Sequence, residues 1–201
     1  MKRIGLLTAL RLEIPAIIPY KKSDNVQVYQ IGQKNIGVLV SGIGQKNALN
    51  ALTRLYQEFS PNYLILTGFC GGVVDKLNIG DLLVPQRVHY NGQKTDLSSS
   101  QLENAIRFLS GSDIRHRIGD IQTFDGPVLS RHGVLETVVG VDMEAYAVSK
   151  ASQSNGLPLV IVKAVSDIVP NQESQQRVDI KNAIREGKKA LINFLKNILK
   201  E

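Results

Sequence analysis

Short apolar runs rich in valine, isoleucine and leucine alternate along the chain with longer segments that are apolar on one side only. We interpret as strands the runs 3–9, 63–68, 81–90, 120–126, 138–142 and 158–167. Most of these runs are apolar at nearly every position, which is typical of strands buried on both faces. The pattern therefore predicts an α/β fold with a mostly parallel sheet covered by helices on both sides.

Helical spacing of apolar residues predicts four helices, at 45–59, 101–109, 144–156 and within the basic segment 179–201. Residues 26–32 and 35–42 are interpreted as a β-hairpin, with Gly32 and Asn35 bracketing a tight turn. The polar stretch 91–100 follows the strand 81–90 and is assigned to neither a strand nor a helix. No repeat or linker divides the chain, so we expect residues 1–201 to form a single domain.

The first residues combine a basic end with an apolar run, as a signal peptide does. However, Arg11 and Glu13 interrupt the run, and no small-residue cleavage site follows. We expect a buried strand leading into a helix. The single cysteine, Cys70, excludes an internal disulfide framework and fits a reducing, cytoplasmic location.

Composition and charge narrow the classes of partner. The chain is 43% hydrophobic and 21% charged, and no apolar run is long enough to cross a membrane. Much of the net charge of +6 lies in segment 179–201, which we interpret as a helix with a solvated basic face. Attraction of this face to anionic lipid stays open. Aromatic residues are only 5% of the chain and do not interleave with the basic ones, so no nucleic-acid partner is expected.

Acidic residues follow four of six strand or hairpin ends. They are Glu13, Asp125, the pair Asp142 and Glu144, and Asp167. Ligands of α/β sheets bind beyond the carboxyl ends of the strands, so these acids predict a crevice lined with carboxylates. Such a crevice suits a substrate that becomes cationic or presents hydroxyl groups. Helix capping is the alternative interpretation, for Asp167 and Glu144 in particular.

The sequence lacks the residues that other common types of binding site require. Segment 41–48, SGIGQKNA, has Asn47 where a dinucleotide fingerprint needs a glycine, and segment 67–73, TGFCGGV, contains no lysine or arginine. His89, His116 and His132 have no metal-ligand spacing and are assigned to surface or loop positions. We therefore expect no metal and no cofactor.

Six segments in register carry a family resemblance: RIGLLTALRLE, SGIGQKNA, LTGFCGGV, IGDLLVP, VDMEAYAV and VKAVSD. In order and rough spacing they resemble the nucleoside phosphorylases and the 5'-methylthioadenosine/S-adenosylhomocysteine nucleosidases. The resemblance runs nearly end to end. It implies a three-layer α/β/α sandwich, with a mixed, mostly parallel central sheet, that cleaves the bond between a purine and a ribose.

The resemblance also implies roles for individual residues. Asp167 matches the acid that protonates the purine at N7, and Ser166 precedes it in the same motif. Glu13 matches the carboxylate that positions the attacking water, and Glu144 matches the one that holds the ribose hydroxyls. Asp142 is expected to support Glu144.

Four further residues are expected to contact the substrate. Met143 would pack on the sugar, Val128 falls where backbone atoms grip the base, and Gly71 falls near the sugar. Phe69 would form the wall beside the water or the sugar. These residue types suit the reaction, because glycoside cleavage builds positive charge on the sugar and a purine leaves readily only when protonated.

Two positions distinguish hydrolysis from phosphorolysis. Phosphorylases of this family use an arginine before the glycine stretch and a serine or threonine within it, where this chain has Leu66 and Phe69. Neither residue can bind phosphate, so hydrolysis by a purine nucleosidase is favoured. Arg11, near Glu13, keeps a phosphorylase open, and Phe69 keeps open a nucleoside-binding protein without turnover.

Phe69 and Cys70 replace smaller residues common in the glycine stretch of the nucleosidases. The segment between GDLLVP and DIQTFDG is also short, where related enzymes have an insertion that encloses a partner's substrate. The 5' pocket is therefore expected to be open, which suits a bulky 5' group such as that of futalosine or adenosylhopane. The lipid tail of adenosylhopane would place the protein near a membrane surface. The family resemblance also implies a homodimer.

Overall fold

A computed structural model describes residues 2–14, 18–21, 25–109, 115–171 and 180–200. In these ranges nine strands share one sheet: β1 (Lys2–Thr8), β2 (Gln27–Ile31), β3 (Lys34–Val40), β4 (Tyr63–Gly72), β5 (Leu82–Tyr90), β6 (Gln93–Asp96), β7 (His116–Thr123), β8 (Val138–Asp142) and β9 (Leu159–Ile168). The α-helices described are α1 (Gln45–Phe59), α2 (Ser99–Leu109), α3 (Ala145–Ser154) and α4 (Ile180–Lys200).

The sheet is mixed. Strands β3, β1, β4 and β9 run parallel to one another, and so do β5, β7 and β8. The two groups meet in antiparallel pairs, β4 with β8 and β5 with β9. Because β9 pairs with both β4 and β5, strands β4, β8, β7, β5 and β9 form a closed ring within the larger sheet. This ring brings the carboxyl ends of β4, β8 and β9 together.

Helices cover both faces of the sheet, as the apolar strands predict. On one face, Leu52 and Leu55 of α1 and Val148 of α3 belong to a buried cluster with alternate residues of β1, β4 and β9. On the other, Leu191 and Phe194 of α4 belong to a cluster with the intervening residues of the same strands. The predicted α/β/α layering is thus confirmed.

Strand β6 lies within the polar stretch 91–100, which the sequence pattern assigned to no strand. Asn91 and Gly92 both have positive φ angles, 46° and 74°, and form the turn that pairs β6 with β5. Asn-Gly is a strong signal for a two-residue hairpin turn, because both residues tolerate positive φ. Only Thr95 of the short edge strand is buried, so no apolar pattern marked it.

Two other local features bear on the sequence predictions. After β1 the chain forms a 3₁₀ turn over Arg11–Glu13, and residues 15–17 of the expected helix lie outside the described ranges. Helix α4 buries Leu195 and exposes Lys189 and Lys196, as its amphipathic pattern predicts. Among the described helices, none combines the length and apolar character that a membrane span requires.

Candidate active site

A cavity of about 270 Å³ opens where β4, β8 and β9 end. Six of the eight predicted site residues line it: Phe69, Gly71, Val128, Met143, Ser166 and Asp167. The other two, Glu13 and Glu144, are buried nearby, with exposed fractions of 2% and 4%. The fold therefore brings together residues that are up to 154 positions apart in the chain, from Glu13 to Asp167.

Asp167 reaches the cavity through an irregularity in β9. The pairing of β4 with β9 shifts register so that Cys70 opposes Val165 and Gly71 opposes Asp167, which leaves Ser166 as an extra residue. Such bulges re-aim side chains, and they occur often beside active sites. A Cβ atom on Gly71 would lie 3.4 Å from Asp167 Oδ2 and 2.8 Å from the Val169 side chain, so glycine is needed opposite the bulge.

The environment of Asp167 favours its protonated form. Burial raises the pKa of this carboxyl group, and the hydrogen bond that Ser166 Oγ donates to Oδ1, at 2.7 Å, opposes the rise. A carboxyl group that keeps its proton to higher pH can act as a general acid towards a leaving group. Asp167 is partly exposed in the cavity wall and is thus accessible to a ligand.

Glu13 is held by donors from three parts of the chain. Its Oε2 accepts hydrogen bonds from the hydroxyl of Thr8 and from the backbone N–H of Leu10, the latter at 2.8 Å. Its Oε1 accepts one from the backbone N–H of Phe69 at 3.2 Å. Burial raises the pKa of Glu13, while these three bonds and the charge of Lys163 lower it. The carboxylate is thereby fixed against strand β4.

Gly68 lets Glu13 approach the strand this closely. Its φ angle is +153°, a conformation that L side chains rarely adopt, and a Cβ atom there would lie 3.3 Å from both Glu13 oxygens. Glu13 therefore lies against Gly68, and Asp167 lies three residues further along β4, against Gly71.

Glu144 is anchored from two sides. Its Oε1 accepts a hydrogen bond from the backbone N–H of Gly44, which precedes α1, at 3.0 Å. Its Oε2 accepts one from Lys163 Nζ, also at 3.0 Å. Although Glu144 occupies the residue before α3, its side chain makes no capping hydrogen bond there. The capping interpretation of Glu144 is therefore wrong.

Asp142 fulfils the capping role instead. Its Oδ2 accepts hydrogen bonds from the backbone N–H groups of Glu144 and Ala145, at 3.3 and 2.8 Å, and pairs with Lys163 Nζ at 3.0 Å. Thr123 donates to Oδ1 at 2.6 Å. The predicted support of Glu144 by Asp142 is confirmed, because Asp142 holds both the backbone of Glu144 and the lysine that binds its carboxylate.

Lys163 is the central residue that the sequence interpretation missed. It is fully buried in β9 and pairs with Asp142 and Glu144. Burial alone would lower the pKa of its ammonium group, but the charges of Asp142, Glu144 and Glu13 outweigh burial and raise it. One cation thus links three carboxylates. Lysine in the middle of the apolar run VIVKAV was the available signal, because a charge at such a position must be paired.

The ring of Phe69 packs largely against α4. Phe69 is partly buried beside the cluster that contains Leu191 and Phe194, and its ring lies against Gly187. Its backbone N–H remains available to Glu13, as described above. Cys70 is buried, and burial raises the pKa of its thiol.

Val128 and Met143 form the apolar side of the cavity. Val128 packs against a small cluster that includes Val141 and Val169. Met143 is partly exposed and stands between Asp142 and Glu144. Asp125, the other acid predicted at a strand end, lies on the exposed rim, where it accepts hydrogen bonds from Gln45 and Tyr90.

The assignment of the three histidines to surface or loop positions was wrong for one of them. His89 lies in β5, is half-buried, and its Nε2 is 2.8 Å from Asp120 Oδ2. His116 and His132 are exposed. Among the described residues, no cluster of three or more histidine, cysteine, aspartate or glutamate side chains could hold a metal ion.

We compared the sequence and the fold of the chain with those of known proteins. A family model described as Phosphorylase superfamily matches residues 2–200. A 5'-methylthioadenosine/S-adenosylhomocysteine nucleosidase of Oceanobacillus iheyensis is 27% identical, over 97% of this chain and 99% of its own. A nucleosidase of the same name from Campylobacter jejuni superposes with a TM-score of 0.84 at 20% identity, covering 100% of both chains. A futalosine hydrolase mutant of Helicobacter pylori gives 0.83 at 21% identity, covering 100% of this chain and 99% of its own.

The two solved structures support the fold described above. The family model spans nearly the whole length of the sequence, including every residue that lines the cavity. The chain therefore belongs to the phosphorylase superfamily.

Proposed function

We propose that this protein is a purine nucleosidase that hydrolyses the N-glycosidic bond of an adenosine-type nucleoside with a 5' substituent. The observation that carries the proposal is the charge distribution of the site. Among the described residues, none that lines the cavity is a lysine or arginine. Asp167, whose pKa burial raises, lies against Gly71 of β4, and the buried Glu13 lies against Gly68 of the same strand. This arrangement suits water as nucleophile rather than phosphate.

Among the described residues, two cations near Glu13, Lys163 and Arg11, have other partners. Lys163 is fully buried and neutralised by carboxylates. Arg11 is exposed on the 3₁₀ turn and donates to the carbonyl of Tyr20 at 3.2 Å. Phosphate recognition needs a positive group with free donors, and arginine provides the strongest such contact. The positions of Leu66 and Phe69, apolar where phosphorylases have phosphate ligands, agree with this interpretation.

In the proposed reaction, Glu13 orients a water molecule towards C1' and accepts one of its protons as the C1'–O bond forms. Asp167 donates its proton to N7 of the purine as the C1'–N9 bond breaks, so the base leaves without negative charge. Proton exchange with solvent then resets both carboxyl groups. Glu144 holds the ribose hydroxyls, Met143 packs on the sugar and Val128 contacts the base. Carboxylates around the sugar stabilise the positive charge that develops in the transition state.

The relatives reported above support an adenosine-type substrate. According to their names, they act on methylthioadenosine, S-adenosylhomocysteine or futalosine. The short segment between GDLLVP and DIQTFDG is compatible with a bulky 5' group such as that of futalosine or adenosylhopane. If the 5' group were a lipid, the exposed lysines of α4 would suit a position near an anionic membrane surface. The cytoplasm is the proposed location.

We also propose a homodimer in which a second copy covers the 5' end of the cavity. Ile43 and Leu129 are 50% and 67% exposed. Leu129 lines the cavity, and Ile43 precedes the Gly44 amide that binds Glu144. A second copy that covers the mouth of the cavity would bury both side chains. Light scattering at micromolar concentration should give the mass of a dimer, and a monomer would contradict the proposal.

The reaction is tested by following release of the free base from adenosine, methylthioadenosine, S-adenosylhomocysteine and futalosine, each with and without phosphate. We expect release from at least one 5'-substituted nucleoside at a rate that phosphate does not change. Release only with phosphate would identify a phosphorylase. Tight binding of a nucleoside without any release would identify a binding protein.

A further inference from the structure

Helix α4 contains one glycine in its interior, Gly187, at the point where the helix crosses the ring of Phe69. A Cβ atom on this glycine would lie 2.9 Å from Cε1 and 3.2 Å from Cδ1 of the ring. The first distance is shorter than real contacts of a Cβ atom, so a side chain here would displace either the ring or the helix. Glycine lowers the stability of a helix interior relative to alanine. Its presence indicates that the ring needs this space.

Phe69, whose ring occupies the space beside Gly187, also binds Glu13 through its own backbone N–H. The N–H of Phe69 donates to Glu13 Oε1 at 3.2 Å. The preceding residue, Gly68, has a φ angle that favours glycine and lies against the same carboxylate. The ring and the amide of Phe69 belong to one residue, so a shift of the ring that rotation about its side-chain bonds does not absorb moves the amide.

We propose that the contact between Gly187 and Phe69 positions Glu13 for the reaction, by fixing the backbone amide that orients this carboxylate. The inference rests on the proposed function for its effect on turnover. It assigns Gly187, a residue of α4 outside the cavity lining, as a positioning residue. It also explains why a bulky side chain at position 69 is compatible with an active site, since the ring is seated on the helix.

The charged and polar groups that face Glu13 come from several elements. Lys163 acts on it from β9, Thr8 donates from β1, and the Leu10 amide donates from the start of the 3₁₀ turn. Asp142 and Glu144 lie on the far side of Lys163. The bond from the Phe69 amide is one of those that lower the pKa of Glu13. Weakening this bond alone should therefore raise that pKa, so the carboxylate form is lost at higher pH as the solution is acidified.

The test variant is Gly187→Ala. A purely structural role predicts lower thermal stability, because the methyl group displaces the ring or the helix, with kcat and the pH–rate profile of the folded protein unchanged. The positioning role predicts a kcat lower by about 10-fold or more, since small displacements of a catalytic group are costly. It also predicts a KM close to that of the wild type and an acid limb of the pH–rate profile that is displaced to higher pH. Lys189→Ala, an exposed substitution on the same helix, is the control and should change none of these.

A compensating variant separates the contact from other effects of the alanine. In Gly187→Ala/Phe69→Leu the smaller side chain frees the space that the new methyl group requires, so kcat and the acid limb should return towards wild-type values. If Gly187→Ala does not fold, Phe69→Leu alone keeps the amide but removes the ring contact, and it should displace the Glu13 titration in the same direction. Unchanged kcat and an unchanged titration in the folded Gly187→Ala protein would overturn the proposal.

The Glu13 titration can be read without turnover. Carbon-13 NMR of labelled carboxyl groups, with the Glu13 signal identified by its absence in Glu13→Gln, gives the pKa in wild type and in Gly187→Ala. A higher pKa in the variant supports the positioning contact even if no nucleoside is cleaved, in which case only the proposed function fails. Base release by the wild type together with an identical Glu13 pKa in both proteins leaves the function standing and rejects the contact.

Discussion

Asp167→Asn is expected to lower kcat for base release about 100- to 10,000-fold, because asparagine has no acidic proton to give to the leaving purine. KM should change little, since the side chain keeps its size and its place opposite Gly71. The matched control is Asp75→Asn, whose side chain is 85% exposed, and its kcat should equal that of the wild type. A loss of activity of the same size in both variants would contradict the assignment of Asp167.

The pH dependence gives an independent check on the same residue. Because burial raises the pKa of Asp167, its protonated form persists to higher pH, and wild-type kcat should fall as the pH rises through that pKa. In Asp167→Asn this basic limb should be absent from the residual activity. A basic limb that persists unchanged in the variant would assign the proton donor to another group.

The thermal stability of Asp167→Asn can be predicted from the direction in which folding shifts the pKa of Asp167. A raised folded-state pKa means that the stability linked to the protonated carboxyl is present at low pH and lost as the pH rises through the folded-state pKa. Asparagine resembles the protonated form at every pH. The variant should therefore unfold at the wild-type temperature or slightly above it at pH 7, which thermal denaturation followed by circular dichroism measures.

Lys163→Met is expected to have the largest effect on stability. It removes the cation that pairs with Asp142 and Glu144 while preserving most of the side-chain volume. Removing one partner of a buried ion pair costs about 3–5 kcal/mol, because the other charge is left buried without compensation. For a domain of this size that lowers Tm by roughly 6–20 °C. Activity should fall as well, since Lys163 anchors Glu144 and acts on Glu13.

The control for this variant is Lys150→Met, the same substitution at an exposed position of α3, which should change Tm by little. Adding Glu144→Gln should recover part of the lost stability. A Lys163→Met protein that is as stable as Lys150→Met at pH 8 would show that the buried cation is not needed.

Periodicity was sufficient to predict the elements with strong apolar patterns. Helix α1 was predicted with its observed bounds, and the buried strands β1, β4, β5, β8 and β9 were predicted within a few residues. Strand β6 was missed because one buried residue gives no alternation, although Asn91 and Gly92 carried the turn signal. The pairing of β9 with β5 was also not predictable, since an antiparallel contact between distant strands leaves no mark in either segment.

The candidate site was predictable where a residue follows a strand end and belongs to a recognised motif, as Asp167, Glu144 and Glu13 do. Six predicted residues share the cavity, and the two buried carboxylates lie beside it. The role of Lys163 was not predictable from spacing, because a lysine within an apolar run signals a paired charge but does not identify the acids that pair with it. The contact between Phe69 and Gly187 depends on the packing of α4 on the sheet, which sequence spacing does not reveal.

In the proposed reaction, a water molecule oriented by Glu13 attacks the sugar. This step is tested most directly by running the reaction in ¹⁸O-labelled water with phosphate present, on whichever nucleoside the protein cleaves, and analysing the sugar product by mass spectrometry. At an early time point, before exchange at the anomeric carbon, we predict a free ribose derivative that carries one ¹⁸O atom and no phosphate ester. An unlabelled ribose 1-phosphate derivative would rule out hydrolysis, because phosphate would then be the nucleophile.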